Sequence, residues 1–185
     1  NVQIAGDITL TAAELEDYPE YAETTPAYNG TFDGAGHTVT INGLAKSMLA
    51  TVGEKGIVKN LTVAGTNSSN TEAATVAMVN KGTIMNCINK VNISGDSAAG
   101  IALSNAGAIL NCINKGNMNG STYAAAMAIM NQGTVSFVAN EGTIEGPSGS
   151  SKMIAMGDAA KYAIDLSSEA DSSLWKVAAA SLNGV

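Results

Sequence analysis

The sequence predicts an all-β fold, a right-handed parallel β-helix (β-solenoid) of about four to five coils. Similar blocks recur every 25 or 26 residues along the chain. Each block alternates apolar and polar residues over short stretches that Gly, Asn or Ser interrupt, which is typical of strands joined by turns. Hydrophobic residues make up 45% of the chain but aromatic residues only 4%, which favours a narrow interior filled by aliphatic side chains.

The repeat is clearest in the middle of the chain. Residues 82–90 (GTIMNCINK) match residues 107–115 (GAILNCINK) at an offset of 25, and a further copy opens at residue 133 (GTV). A second block recurs in the same register, as VAMVN from residue 76, IALSN from 101, MAIMN from 127 and MIAMG from 153. These blocks are too short and too rich in glycine for helix-pair repeats. We therefore predict coils of 25–26 residues over residues 28–157.

Stacking turns each aligned column into a ladder of side chains on neighbouring coils, about 4.8 Å apart. Three columns are expected to face inward: Val76, Ile101, Met127 and Met153; Met78, Leu103, Ile129 and Ala155; and Ile84, Ile109 and Val135. Two columns of asparagine are expected to stack as amide ladders at turns: Asn60, Asn86 and Asn111; and Asn80, Asn105 and Asn131.

Residues 100–112 (GIALSNAGAILNC) resemble the GLUG repeat, whose pattern runs roughly GGLVGxNxGxIxNC. Residues 30–44 (GTFDGAGHTVTINGL) are similar to the segment that often precedes such repeats. The resemblance covers roughly residues 28–157 and implies a β-helical, adhesin-like surface protein of a bacterium. The chain departs from the pattern at Ala77, Ala102 and Ala128, where the family often has a larger apolar residue.

The two ends are expected to cap the coils, because a solenoid otherwise exposes an unpaired strand edge. Residues 1–27 are predicted to form the N-terminal cap, with a short helix that Thr11 and Glu14 begin as a capping box. Residues 158–185 are predicted to form a C-terminal cap or the beginning of a further domain. Leu174, Val177, Ala178 and Leu182 fall at helical spacing there, with Trp175 as an anchor.

Charge and composition exclude several classes of function. The formal net charge is −7, and the nine basic residues are all lysine and scattered, so we expect no nucleic-acid partner. No run of about 18 apolar residues exists that would span a bilayer. The first residues lack Met and a signal-peptide pattern, and we expect that a signal peptide has been removed from an extracellular or cell-surface bacterial protein.

Catalytic residues are not predicted. Hydrolases of this fold need two or more converging carboxylates, whereas Glu141 and Glu145 straddle Gly142 without partners in their columns. Asp33 is expected to shape a turn beside Gly34, and His37, the single histidine, is expected to be structural. Lyases of this fold usually rely on Arg or Lys as the base and on calcium as the acid, and the chain has no arginine and no cluster of aspartates. We predict no enzyme activity.

No metal or cofactor is predicted either, since one histidine and two cysteines do not make a structural zinc site. Cys87 and Cys112 are 25 residues apart in matching columns and are expected to lie on adjacent coils. Their spacing fits either a disulfide or a stacked pair of buried thiols.

Two functions are compatible with these observations. The first is a structural or adhesive module of a secreted or cell-surface protein, with a host or bacterial surface protein or a glycan as partner. The alternative is a carbohydrate-binding module, or a degenerate relative of the polysaccharide-acting β-helix enzymes. For a ligand-stacking role the sequence offers Tyr28, Tyr123 and Trp175, although packing in a cap is the alternative role for Trp175.

Overall fold

The computed structural model describes residues 1–11, 26–67, 69–147 and 151–167. These residues form a parallel β-solenoid of about six turns, and no helix occurs among them. The strands are β1 (Val2–Gln3), β2 (Ile8–Leu10), β3 (Thr31–Asp33), β4 (Thr38–Leu44), β5 (Leu49–Val52), β6 (Ile57–Lys59), β7 (Thr62–Asn67), β8 (Glu72–Ala74), β9 (Ala77–Asn80), β10 (Thr83–Met85), β11 (Ile88–Asn89), β12 (Ile93–Ala99), β13 (Ala102–Asn105), β14 (Ala108–Leu110), β15 (Ile113–Asn114), β16 (Met118–Asn131), β17 (Thr134–Asn140), β18 (Ile144–Glu145), β19 (Ser151–Gly157) and β20 (Lys161–Asp165).

The strands lie in two sheets, and every described pairing is parallel. The first sheet has 12 strands and contains the ladders β1-β3-β6-β10-β14-β17 and β2-β4-β7-β11-β15-β17, with β20 on β17. The second sheet has eight strands and contains the ladders β5-β9-β13-β16 and β8-β12-β16, with β18 and β19 on β16. A complete coil therefore crosses the first sheet, turns, and returns through the second.

The all-β solenoid fold is confirmed, but the number of coils is about six instead of the predicted four to five. The additional coils are at the ends. Val2 already pairs with Phe32, and Ile8 pairs with Val39, so a coil precedes the first recognisable repeat. Lys161 pairs with Ser136 and continues the first sheet past the last repeat. Parallel pairing depends on backbone geometry, so these coils form without the repeated sequence.

Two of the three predicted inward columns are confirmed. Val76, Ile101 and Met127 are buried in the main core, as are Ile84, Ile109 and Val135. The third column is wrong: Leu103, Ile129 and Ala155 pack in a second cluster with Ala74, Ala99 and Ala125. Because Val76 and Ala77 are both buried in the main core, strict alternation is interrupted there. The main core contains Ala77, Ala102 and Ala128 in place of the predicted third column.

Buried amide ladders tie the coils together. Asn80 donates to Asn105 and Asn105 donates to Asn131, each at 2.7 Å, as the repeat predicts. A second buried ladder was not predicted: Asn89 donates to Asn114 and Asn114 to Asn140, again at 2.7 Å. Each amide in such a ladder is satisfied by the coil above and the coil below, so polar side chains can occupy the interior without leaving unpaired groups.

The predicted terminal helices fall outside the described residues. These are the helix expected after Thr11 and the segment containing Leu174, Trp175, Val177, Ala178 and Leu182. In the part of the chain that the structure describes, no helix has the length and apolarity needed to cross a membrane.

Candidate functional site

One corner of the first sheet carries a ladder of exposed side chains. There the backbone of Asn60, Asn86 and Asn111 is left-handed, with φ of 53°, 54° and 52°. Asn111 donates to Asn86 at 2.8 Å, and Asn86 donates to Asn60 at 3.0 Å. Asparagine tolerates this backbone conformation better than most residues. The predicted amide ladder over these three residues is therefore confirmed, and it stabilises the corner from outside.

The ladder ends at Asp33, on the preceding coil. Asn60 donates to Oδ1 of Asp33 at 3.0 Å, and the amide of Ala35 donates to the same oxygen at 2.9 Å. The Lys59 ammonium lies 3.2 Å from Oδ2. The Ala35 amide, the Asn60 side chain and Lys59 hold the pKa of the Asp33 carboxyl below its ordinary value. Asp33 therefore shapes the turn, as predicted.

Two aromatic residues continue this corner toward the C-terminus. Leu110 pairs with Ser136 and Ser136 with Lys161, so Phe137 and Tyr162 follow Asn111 in the same column. Both have left-handed φ, 56° and 50°. Their rings stack with centroids 4.8 Å apart and planes within 8° of parallel. Phe137 is 63% exposed and Tyr162 75% exposed, so the stack stands in solvent. We call these two residues the aromatic corner.

The aromatic corner is not explained by folding energetics. A left-handed backbone costs an ordinary L-residue roughly 1–2 kcal/mol. A stacked aromatic pair stabilises the fold by about 0.5–1.5 kcal/mol. This is less than the combined cost of two left-handed residues. Asparagine at both positions would avoid most of the cost and extend the amide ladder. Strained residues of this kind cluster at functional sites, which marks the aromatic corner as a candidate site.

A groove on the second sheet is the other candidate site. Glu72, Ser97 and Tyr123 pair across three coils and line one side of it. Lys46 and Asp96 also line this depression, which has a volume of about 540 Å³. Asp96 accepts a hydrogen bond from the Ser121 hydroxyl at 3.0 Å. The groove therefore combines one aromatic ring with hydroxyl groups and with charged groups of both signs.

Beyond Tyr123 the groove becomes apolar. This end is lined by Leu103, Ile129, Met130 and Met156. Most of these side chains belong to the second cluster, in which Ala74, Ala99 and Ala125 are fully buried. The small side chains of these three alanines leave room for the larger apolar side chains of the cluster to pack over them. Polar groups beside an apolar wall are common in sites for small ligands.

The sequence-predicted site residues do not meet at one place. Tyr123 lines the groove. Tyr28 is half-buried beside Val52, and its hydroxyl is buried without a hydrogen-bond partner among the described residues. Trp175 lies outside the described residues.

Two further residues weighed as catalytic groups each lie beside one oppositely placed side chain at the surface, His37 beside a carboxylate and Glu141 beside an ammonium group. His37 Nδ1 lies 3.4 Å from Asp7. Glu141 lies 3.0 Å from the Lys115 ammonium. Glu141 therefore has a cation as partner, with no second carboxylate in the contact.

Cys87 and Cys112 occupy matching positions on neighbouring coils. Both are fully buried and both are free thiols. Each thiol donates to the carbonyl two residues before it, that of Met85 or Leu110, at 3.3 Å. The neighbouring Cys112 thiol, together with burial, raises the pKa of the Cys87 thiol well above its ordinary value. A neutral, buried thiol is a poor nucleophile.

The sequence reasoning missed Phe137, Tyr162, Glu72 and Asp96. For Phe137 a signal existed, because an alignment column that reads Asn60, Asn86 and Asn111 changes to an aromatic residue at the next coil. For Tyr162 none existed, since the repeat is no longer recognisable there. Glu72 and Asp96 are in neighbouring columns on adjacent coils, since Ser97 pairs with Glu72. Their residue types alone do not indicate a groove at this place.

Within the described ranges no group of three or more His, Cys, Asp and Glu side chains could hold a metal ion. Comparison of the chain with protein-family models, curated proteins and solved structures finds no match.

Proposed function

We propose that this chain is a structural and adhesive module of an extracellular or cell-surface bacterial protein. The observation that carries the proposal is the continuity of the coils, since parallel ladders link each coil to the next from Val2 to Asp165. The GLUG-like sequence of residues 100–112 supports a bacterial surface location. We propose no catalytic role for it.

The physical basis is rigidity. Six coils at about 4.8 Å per coil make a rod roughly 30 Å long. Successive coils share backbone hydrogen bonds, and the buried ladders of Asn80 and Asn114 add side-chain bonds in the same direction. Such a rod projects attached segments away from a surface and presents its faces without rearrangement, which lowers the entropic cost of binding.

The purified chain is expected to unfold cooperatively above about 65 °C, at the upper end of the mesophilic range. Proteinase K digestion of the native protein is expected to leave a resistant fragment that contains residues 31–145. Circular dichroism on heating and mass spectrometry of the digest measure these two properties. A low melting temperature together with rapid cleavage inside residues 31–145 would contradict the proposed rod.

A second candidate function is carbohydrate binding, and the groove around Tyr123 favours it. Its aromatic ring, with Glu72, Asp96 and Ser97 nearby, offers both a stacking surface and hydrogen-bonding groups. Saccharides present both apolar faces and hydroxyl groups, which matches this mixture.

Tyr123→Ala is expected to weaken retention of a bound soluble polysaccharide by about tenfold, since losing one stacked ring removes on the order of 1.4 kcal/mol of binding free energy. Affinity electrophoresis in gels containing dextran, laminarin or galactomannan measures the effect. Lys115→Ala, which removes an ion pair away from the groove, is the matched control. Equal retention of Tyr123→Ala and the parent protein would remove the groove from consideration.

A further inference from the structure

We propose that the aromatic corner, Phe137 and Tyr162, is a binding site for the apolar face of a neutral pyranose in a glycan chain. The inference rests on the carbohydrate-binding candidate proposed above and assigns it a site separate from the Tyr123 groove. It starts from the change of residue type along one column. Three successive coils carry asparagine at this left-handed corner, and the next two carry aromatic rings.

The rings are arranged for contact with a ligand. The Phe137 and Tyr162 rings stack with centroids 4.8 Å apart, and 75% of Tyr162 is exposed. Because Phe137 lies on one side of Tyr162, the opposite ring face and the hydroxyl of Tyr162 are the parts available to a ligand. A rigid tyrosine supplies apolar contact area and a hydrogen-bonding group at low entropic cost.

The surface beside the rings favours a saccharide over a protein. The other exposed large hydrophobic side chains among the described residues, Val2, Ile8 and Met130, lie in other strands. Two isolated rings do not approach the roughly 800 Å² per partner of a stable protein interface. The column continues instead into the exposed amides of Asn111 and Asn86, which can exchange hydrogen bonds with sugar hydroxyls.

The charge of the chain favours a neutral sugar. The formal net charge is −7, which repels polyuronates and other acidic glycans at low salt. Along the column, the side chains that precede Phe137 are the neutral amides of Asn111 and Asn86, and the carboxylate of Asp33 is at the opposite end of the ladder. A glycan that lies along the corner would place one sugar against Tyr162 and its neighbours beside the amides.

The test uses the intact chain and the variant Phe137→Asn/Tyr162→Asn. Asparagine fits the left-handed backbone, so this variant is expected to keep or raise the melting temperature while it removes both rings. Retention in gels containing dextran, laminarin or galactomannan is expected to weaken at least about tenfold. Gels containing polygalacturonate serve as the acidic comparison. Tyr162→Phe keeps the stack and is expected to stay within about threefold of the parent protein.

The outcomes separate this inference from the functions proposed above. If the parent protein is retained and the double variant is retained equally, the aromatic corner is not the site, while Tyr123→Ala still tests the groove. If the parent protein is retained by none of the neutral polysaccharides, or only by polygalacturonate, this inference is overturned and the rod, tested by melting and proteolysis, is unaffected. A parent dimer that the double variant dissociates, with unchanged glycan retention, would assign the rings to self-association and overturn it too.

Discussion

Replacing Asn114 by alanine is expected to lower the free energy of unfolding by about 3 kcal/mol. Asn114 is fully buried, accepts from Asn89 at 2.7 Å, and donates to Asn140 and to the carbonyl of Gly116. The substitution leaves the Asn140 oxygen and the Gly116 carbonyl without this donor and opens a cavity. Urea unfolding followed by circular dichroism measures the change.

The matched control for this prediction is Asn111→Gly. Asn111 belongs to the exposed amide ladder and has a φ of 52°. Glycine adopts this conformation freely, and water can replace the lost hydrogen bond, so a loss below about 1 kcal/mol is expected. Similar losses for the two variants would mean that burial of the amide ladder is not what stabilises the coils.

Replacing Gly107 by alanine is expected to cost about 3 kcal/mol or more, or to prevent folding. A Cβ atom at this position would overlap the carbonyl oxygen of Gly82 on the preceding coil. Gly133 approaches the carbonyl of Gly107 in the same way from the next coil. Since backbone lies on both sides, the strain cannot be relieved by moving one flexible side chain.

Gly6→Ala is the control for the glycine column, because a Cβ at Gly6 meets nothing within 4 Å. It is expected to change the free energy of unfolding by less than about 0.5 kcal/mol. The urea concentration at the unfolding midpoint is measured for each variant and compared with that of the parent protein. An unfolding free energy for Gly107→Ala within 1 kcal/mol of the parent protein would show that the coils are less closely stacked than the structure describes.

The predictable part of this fold is the part that repeats. The offset of 25 between Ile84 and Ile109, and the two asparagine columns of Asn86 and Asn105, are visible because each coil needs the same residue type at the same place. Asn89 and Asn114 also occupy matching positions in the repeat, but residue type alone does not show that their ladder is buried. The first coil was missed because parallel pairing at Val2 and Ile8 requires no repeated side chains.

The candidate sites were largely beyond sequence reasoning for a related reason. Tyr123 was identified by residue type, but its neighbours Lys46, Glu72 and Asp96 come from three different coils and from different alignment columns. The shift from Val76 to Ala77 as consecutive core residues moves Leu103 and Ile129 out of the main interior. After this interruption the strand no longer alternates, since Ala102 and Asn105 are buried while Leu103 and Ser104 between them are half-buried.

The sequence by itself determined the coil length, the parallel β-solenoid and the positions of the asparagine ladders at Asn80, Asn105 and Asn131. These follow from the chemistry of one coil applied again to the next, because stacked coils place identical positions about 4.8 Å apart. Only the tertiary structure decided how many coils there are, which residues leave the main core, and that Phe137 and Tyr162 stack in solvent. Those properties depend on the path of the backbone between coils, and this path cannot be inferred from residue type.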